Sequence, residues 1–483
     1  MINLTLHDII QHFSRSELLD DSTILAADND IESSELIISG VSTDTRTIQP
    51  GDVFIALVGP NFNGHAFISE ARQKGAVAAI VSEPTQTFIP EIIVSDTKLA
   101  LGELGAFVKQ QVNPKTIAIT GSCGKTTVKE MVTAILQECG SVLSTNGNFN
   151  NDIGVPLTLL RIEEHHEFAV IEMGANHLGE IAYTTKLTQP DVATIVNADA
   201  AHLEGFGSLF GVARAKSEIF KGLGPQGTAI LNFDSQFHDF WRGKLANEFI
   251  YSFSLNEAPG GNADYTAESV GLAYNGCAHF IMHTPIGEMN IELTLPGLHN
   301  VGNALLAAAL SINVGASLEH VRDGLAKMQN VAGRLHVKQI SEQVRLIDDT
   351  YNAAVGSVKA AIELLSQYEG KRVLVLGDMA ELGDKARYYH EEIGTLAKDK
   401  GIEYLFTLGV LSQSASQVFG ANGAHFSAID ALNDTLYNTL YNTPENITIL
   451  VKGSRSARME RVVKALEESP VGKLDRSRGL IAC

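Results

Sequence analysis

Only four cysteines occur in 483 residues, Cys123, Cys139, Cys277 and Cys483, with no CxxC pair and no metal-like spacing near a histidine. That scarcity excludes a disulfide-stapled scaffold. Positive charge is also short: 36 Lys and Arg face 56 Asp and Glu, a net charge of −20. Such a balance argues against a nucleic-acid backbone or an anionic membrane surface as the main partner. No apolar run approaches the ~18–20 residues that span a bilayer. The opening MINLTLHDIIQHF carries His7, Asp8 and His12 in place of a basic segment followed by an apolar one, so no signal peptide is expected. These absences together predict a soluble, cytoplasmic protein. With 45% hydrophobic and 19% charged residues, the chain is not an acidic disordered one either.

What is present is a βα rhythm. Short Val- and Ile-rich runs recur, each followed by Gly or Asn and then an amphipathic stretch, the pattern of mostly parallel sheets. The length allows two to four domains at ~100–200 residues each. One set of strands is expected at Thr116–Ile119, Phe168–Ile171, Val192–Val196 and Thr228–Leu231. A second set is expected at Val344–Ile347, Arg372–Leu376, Tyr404–Leu408 and Thr448–Val451. Two sets imply two α/β domains, meeting near Asn330–Arg334. A smaller α/β unit precedes them, with strand signals at Val53–Leu57, Val77–Val81 and Ile92–Val94. Its helix, Lys98–Gln111, should stop at Asn113-Pro114. The predicted domains are therefore 1–112, 113–331 and 332–483. Between Ser252 and Thr294, polar and apolar residues alternate around glycines, which predicts an antiparallel insertion beside the middle domain.

The segment TIAITGSCGKTT, Thr116 to Thr127, places a buried-type strand, a glycine turn, a lysine and two hydroxyls in succession, and the helix-like Val128–Cys139 follows. Such a turn aims backbone N–H groups and a helix N-terminus at a phosphate. Lys125 would supply charge and Thr126 a magnesium ligand. The strict GxxxxGK[ST] pattern is not met, because Ile119 occupies its first position; the shorter TGxxGKTT is. A chance turn carrying a lysine is the competing explanation, and the strand–loop–helix context disfavours it. Cys123 within the loop has no neighbouring histidine and reads as a small filler.

Ligands of open α/β sheets gather at the carboxyl ends of the strands. There Phe168–Ile171 runs into Glu172, and Val192–Val196 runs into Asn197 and then His202. A carboxylate beside a phosphate loop can hold magnesium, and an imidazole can complete the shell of a second metal. Either alone is more often a solvated or structural residue; together they suggest one crevice. Lys216 lies within the apolar stripe Leu209, Val212, Ala213, Ile219, Phe220 and Leu223 of a helix-like stretch over Ser208–Leu223. Two readings stand level. One is a lysine that reaches past the edge of the stripe. The other is a buried amine, held neutral and able to attack carbon dioxide to give a carbamate.

These motifs resemble those of the ATP-dependent Mur ligases of peptidoglycan synthesis, over nearly the whole chain. TGSCGKTT is similar to their phosphate loop, NFNNDIGVPL (148–157) to the loop that follows, and VIEMGAN (170–176) to the strand with a metal-binding glutamate. Ala215-Lys216 resembles the lysine the family carbamylates, and LPGLHNVGN (295–303) and Ala332-Gly-Arg334 its nucleotide-contacting motifs. DDTYNA (348–353), GDMAELG (377–383) and KGS (452–454) are most similar to the branch joining D-alanyl-D-alanine to UDP-N-acetylmuramoyl-tripeptide. No DNPR-type motif of the sibling that adds the third amino acid is present. Two positions depart from the family pattern: Ala354 replaces the Asn after DDTYNA, and NGHAF (63–67) replaces DGHDF.

The resemblance implies an α/β fold of three domains: a P-loop-type central domain with a mostly parallel sheet, a Rossmann-like C-terminal ligase domain, and a smaller α/β domain for the UDP-sugar substrate. It implies an amide ligase using ATP and two magnesium ions, acting as a monomer through an acyl phosphate. Lys125, Glu172, His202 and carbamylated Lys216 are the implied catalytic residues, with Thr126, Glu172, His202 and Lys216 holding metal. ATP would meet Thr120, Gly121, Ser122, Cys123, Gly124, Lys125, Thr126 and Thr127, then Asn300, Asn303, Arg334 and Asp349. The UDP-linked peptide and dipeptide would meet Ser42, Thr45 and Arg46, then Asn150, Asn151, Tyr351 and Asn352. Two alternatives remain: a sibling ligase adding another amino acid, and a nucleotide-switched binding protein such as a GTPase. The second lacks an NKxD-like guanine motif and leaves Lys216 and His202 without a task.

Overall fold

The computed structural model describes residues 1–16, 18, 24–25, 36–85, 87, 89–245, 249–329, 332–443 and 445–469. Cys483, Asn330 at the expected boundary, and the end of the 332–483 unit lie outside the described residues.

Among these, three larger sheets follow one another along the chain. The first has five strands in the order Ile24–Leu25, Glu91–Ile93, Ala78–Val81, Asp52–Ile55, Gly40–Ser42. All its pairings are parallel except that of Ile24–Leu25. The helix Thr97–Val112 leaves it and ends on Asn113, whose left-handed backbone, φ 51°, precedes Pro114. Proline cannot continue the helix, so the stop falls where the sequence placed it.

The second sheet is entirely parallel, in the order Val142–Ser144, Phe168–Glu172, Lys115–Thr120, Val192–Ile195, Thr228–Asn232, Phe249–Phe253. Its first strand in sequence, Lys115–Thr120, lies between Phe168–Glu172 and Val192–Ile195, so chain direction across the sheet reverses there. That reversal opens a crevice at the strand ends, the usual ligand position in such sheets. Helix Lys125–Gln137 packs on one face, where Val128, Met131, Val132, Ile135 and Leu136 join a core shared with helix His299–Ile312. The expected insertion is a three-stranded antiparallel sheet, Thr266–Leu272, Cys277–Thr284 and Gly287–Pro296. It begins later than Ser252, because Phe249–Phe253 is spent on the parallel edge of the second sheet.

The third sheet runs His336–Gln339, Val344–Asp349, Ile447–Lys452, Lys371–Gly377, Tyr404–Leu408, Gly423–Phe426, parallel apart from its first strand. Its last strand in sequence fits between Val344–Asp349 and Lys371–Gly377, bringing Lys452 into register with Asp349.

One expected helix changes character midway. Leu209–Lys216 is α-helical, but Ser217–Gly222 winds as the tighter 3-10 form. Polar bonds hold that tighter turn: Ser217 Oγ donates to the Arg214 carbonyl at 2.6 Å. The Glu218 carboxylate accepts from the Gly179 and Ala182 amides, capping helix Glu180–Thr188.

Candidate active site

The phosphate loop is shaped by its neighbours before any ligand is considered. Gly124 adopts φ 79°, a left-handed conformation that L side chains rarely take, and a Cβ there would lie 3.3 Å from Asn303 Oδ1 and from Val196 Cγ1. Glycine lets the chain turn straight from the strand end into helix Lys125–Gln137. Asn197 Oδ1 accepts from the Ser122 amide at 3.1 Å and the Cys123 amide at 2.9 Å, while its Nδ2 donates to the Cys123 carbonyl. Those two amides are engaged, so the first-turn N–H groups from Lys125 onward are the ones the loop can offer an anion. Lys125 Nζ folds back on its own loop, donating to the Gly121 carbonyl at 2.6 Å. Burial, opposed in part by the Glu172 charge, moves its pKa down. Burial raises the Cys123 thiol, with Asp199 adding to the effect, so the side chain stays protonated and is a filler.

Next to the loop, register pairs Ile119 with Glu172 across adjacent strands. The Glu172 side chain is buried. Thr126 Oγ1 donates to Glu172 Oε2 at 2.8 Å, and Asn150 Nδ2 donates to Glu172 Oε1 at 2.8 Å. This hydroxyl–carboxylate pair fits magnesium: cis oxygens of an octahedron with bonds of 2.0–2.1 Å lie about 2.9 Å apart. Among the described residues no group of three or more His, Cys, Asp or Glu could by itself hold a metal ion. Phosphate oxygens would have to complete the shell, as usual for magnesium at nucleotide sites.

The third sheet supplies the facing wall. Arg334 Nη2 donates to Thr126 Oγ1 at 2.8 Å, and its guanidinium lies 4.2 Å from the centre of the Tyr351 ring. Lys452 Nζ donates to Asp349 Oδ2 at 2.5 Å and to the Asn352 carbonyl at 2.9 Å. Between the walls lies a cavity of about 580 Å³, lined among others by Lys125, Thr126, Glu172, His202, Lys216 and Arg334.

Lys216 is 1% exposed, which decides between its two sequence readings: it does not reach to solvent. Its pKa is well below that of an ordinary lysine because of burial first and of the nearby Lys125 charge second. It makes no hydrogen bond or ion pair among the described residues, while lining the cavity. A neutral amine in this setting is a nucleophile.

Of the other expected residues, Ser122, Cys123, Gly124, Thr127, Asn150, Asn151, Asn300, Asn303, Asp349, Tyr351 and Asn352 also line the cavity. Asn303 Nδ2 donates to Asn300 Oδ1 at 2.9 Å. Asn151 Oδ1 accepts from the Gly154 amide at 2.8 Å, at the start of helix Gly154–Leu159. Thr120 and Gly121 do not reach the cavity; Thr120 is buried and its hydroxyl donates to the Met173 carbonyl at 2.7 Å. Ser42, Thr45 and Arg46 lie in the first unit, away from this cavity. There Ser42 is bonded to Asp44 and Thr47 and Arg46 to Asp44 within one turn, and Thr45 donates to Glu70 of helix Ile68–Gln73. In NGHAF, His65 Nδ1 contacts Asn63 Oδ1 at 2.7 Å and its Nε2 accepts from the Ser82 amide. Ala354 lines the cavity at the start of helix Val355–Ser366, where the Ser357 hydroxyl accepts from its amide at 3.1 Å.

Several lining residues were not selected as site residues from the sequence, Lys452, His299, Asp199 and Arg455 among them. Lys452 ends the apolar strand Ile447–Lys452, the same signal that singled out Glu172. His299 sits inside LPGLHNVGN; burial, and then Lys452, push its pKa down to about 4, so it faces the cavity as a neutral imidazole. Asp199 and Arg455 carried no comparable sequence signal.

Comparison with known proteins follows the same three segments. Residues 37–115 match the model described as "Mur ligase family, catalytic domain", 119–311 the "Mur ligase middle domain", and 333–455 "Mur ligase, glutamate ligase domain". The chain is 48% identical over 440 residues to the UDP-N-acetylmuramoyl-tripeptide--D-alanyl-D-alanine ligase of Escherichia coli K12, covering 91% of this chain and 96% of that protein. A crystal structure of MurF from Acinetobacter baumannii superposes with a TM-score of 0.88 at 36% identity, covering 97% of this chain and all of the other. A MurF ligase from Thermotoga maritima, solved in complex with ADP, superposes with a TM-score of 0.79 at 26% identity over 91% of this chain and 98% of that one.

Proposed function

Given that the chain belongs to the Mur ligase family, we propose that it joins D-alanyl-D-alanine to UDP-N-acetylmuramoyl-tripeptide, using ATP, to form the pentapeptide precursor of peptidoglycan. The observation that carries the reading is the cavity whose two walls come from different sheets: a phosphate loop with the Thr126–Glu172 pair on one, Arg334 and the Asp349–Lys452 pair on the other. An identity of 48% over nine-tenths of the chain with a ligase of that specificity supports the substrates. The acidic composition, and the absence among the described residues of any helix long and apolar enough to cross a membrane, agree with a cytoplasmic enzyme. Its product would serve wall growth, and through it cell shape and division.

The chemistry must bring two anions together. A carboxylate oxygen of the tripeptide attacks the γ-phosphorus of ATP, and the bond to the β-phosphate oxygen breaks, releasing ADP. The amine of D-alanyl-D-alanine then attacks the acyl carbon, loses a proton and expels phosphate. The helix N-terminus at Lys125, the Lys125 ammonium and the Arg334 guanidinium would spread the phosphoryl charge. Thr126 and Glu172 would hold one magnesium, and His202 with Lys216 a second. Bound there, magnesium neutralises phosphate charge and orients the oxygens. Lys216 would ligate as a carbamate, formed when its neutral Nζ attacks carbon dioxide and gives up a proton. Asn300, Asn303 and Asp349 would contact the nucleotide. The wall carrying Tyr351, Asn352 and Lys452 would keep water from the acyl phosphate. We assign residues 1–112 to the UDP-sugar, 113–331 to ATP and 332–483 to closure over both.

Product formation from one tripeptide substrate and a panel of amino components tests the specificity. D-alanyl-D-alanine should give at least ~10-fold more product than D-alanine, L-lysine or diaminopimelate, the scale set by leaving a polar or apolar subsite unfilled. Equal yields from single amino acids would reassign the chain to a sibling ligase.

A further inference from the structure

The site described above leaves one cross-wall contact unexplained. His202, which lines the cavity beyond the strand Val192–Ile195, has its buried Nδ1 set against a carboxylate oxygen of Glu381, a residue of the third unit, but not aligned as a hydrogen bond. Both residues are strained: His202 has φ 54° and Glu381 φ 63°, two of the seven non-glycine residues with positive φ among those described. Strained residues persist where their surroundings over-determine them, and here two meet across a domain junction.

The surroundings do so on both sides. The Glu381 carbonyl accepts from the Glu204 amide at 3.4 Å. Ala200 is buried in the core of the third unit, and Leu203 packs against that core. On the other flank, the Met379 amide donates to His390 Nε2 at 3.0 Å, Leu382 is buried, and the Asp378 carboxylate accepts from the Val410 and Ser412 amides. The Glu381 loop is thus anchored to its own unit and presents one carboxylate to the imidazole of the other.

We propose that Glu381 is a positioning residue that couples docking of the third unit to readiness of the active site. Its carboxylate already lies against Nδ1; a small rotation of the imidazole would let it accept the Nδ1–H of His202, fix that tautomer and ring orientation, and leave the Nε2 lone pair for the cavity. A carboxylate behind an imidazole is a general way of setting which ring nitrogen remains free to ligate. When the units part, the acceptor is withdrawn and the imidazole loses its fixed orientation. The inference rests on the ligase reading for what His202 does, but not for the contact itself.

The test uses the full chain and two readouts. Glu381→Ala should lower kcat ~10–100-fold, the usual cost of removing such a partner, with KM for ATP unchanged, and the isosteric Glu381→Gln should recover part of the loss. Combined with His202→Asn, Glu381→Ala should cost little more, because both act through one imidazole. In nucleotide-free protein labelled with ¹⁵N-histidine, and with His202→Asn as the assignment control, wild type should show a single Nδ1–H tautomer for His202. Glu381→Ala should show Nε2–H or an averaged signal. An unchanged tautomer in Glu381→Ala, or fully multiplicative losses in the double variant, would overturn the proposal. Wild type without amide product would instead overturn the ligase reading, while the tautomer comparison would still decide the role of Glu381. Should Glu381→Ala fail to fold, the tautomer in Glu381→Gln, whose amide oxygen is a weaker acceptor, decides the point: the Nδ1–H population must fall.

Discussion

Lys125→Ala is expected to lower kcat about 10²- to 10³-fold, the cost of removing one preorganised charge from a site where negative charge is transferred. The lysine begins helix Lys125–Gln137 and its ammonium group already lies at the loop, 2.6 Å from the Gly121 carbonyl. Short of ligand it is held by that carbonyl; with ATP bound it can exchange the carbonyl for phosphate oxygens. KM for ATP should rise as well, since the charge is present in ground and transition states alike. Steady-state release of phosphate coupled to amide formation measures both parameters. The protein's one tryptophan, buried Trp241 with its Nε1–H donating to the Ala213 carbonyl at 3.1 Å, reports by its emission that the variant remains folded. A variant with wild-type kcat and KM would remove Lys125 from the mechanism.

Lys216→Ala should lose a similar factor, about 10²- to 10³-fold in kcat, but its loss should be reversible. The side chain is 1% exposed, lines the cavity and has its pKa held low by burial. Alanine leaves the space of the lysine side chain open to the cavity. If Lys216 acts as a carbamate, as proposed, formate, acetate or propionate entering that space would replace its carboxylate oxygens. Added short carboxylates should therefore raise the rate of Lys216→Ala without raising that of wild type, and chloride at equal ionic strength should not. Lys216→Arg keeps a positive charge that cannot become a carbamate, so it should be as slow as the alanine variant and insensitive to rescue. An active Lys216→Ala enzyme would discard the carbamate. Lost activity restored equally by chloride would point to ionic strength instead.

Most of the fold could be read from apolar runs because buried parallel strands need them. Thr116–Ile119 and Phe168–Ile171 were found to within a residue or two of the observed Lys115–Thr120 and Phe168–Glu172. What escaped was set by pairing over long separations. Phe249–Phe253 has a strand-like composition, yet only its parallel register with Thr228–Asn232 makes it an edge of the second sheet. Gly423–Phe426, with no β-branched residue, becomes a strand through its partner Leu405–Leu408. The turn to 3-10 geometry after Lys216 depends on Glu218 capping a helix that begins at Glu180, a contact no periodicity reveals.

The candidate site divides in the same way. The phosphate loop, Glu172 and the strand-end logic are local, so the sequence exposes them. Arg334 meeting Thr126, Lys452 meeting Asp349 and Glu381 meeting His202 join residues more than a hundred apart, and only the folded chain brings them together. The burial of Lys216 likewise depends on what covers its stripe.

The net charge of −20 set nucleic acid aside, yet ATP and a UDP-linked peptide are polyanions. On the proposed function the chain would meet them with local groups, the helix N-terminus at Lys125, Arg334 and the Thr126–Glu172 pair, and not with a positive field over the whole surface. The mass of the product formed from ATP, a defined UDP-N-acetylmuramoyl-tripeptide and D-alanyl-D-alanine tests this account most directly. The expected product is heavier than the tripeptide substrate by one dipeptide less one water, and it forms only with ATP and with one phosphate released per amide bond. ATP hydrolysis that leaves the tripeptide mass unchanged, or a response to GTP without any amide product, would contradict it.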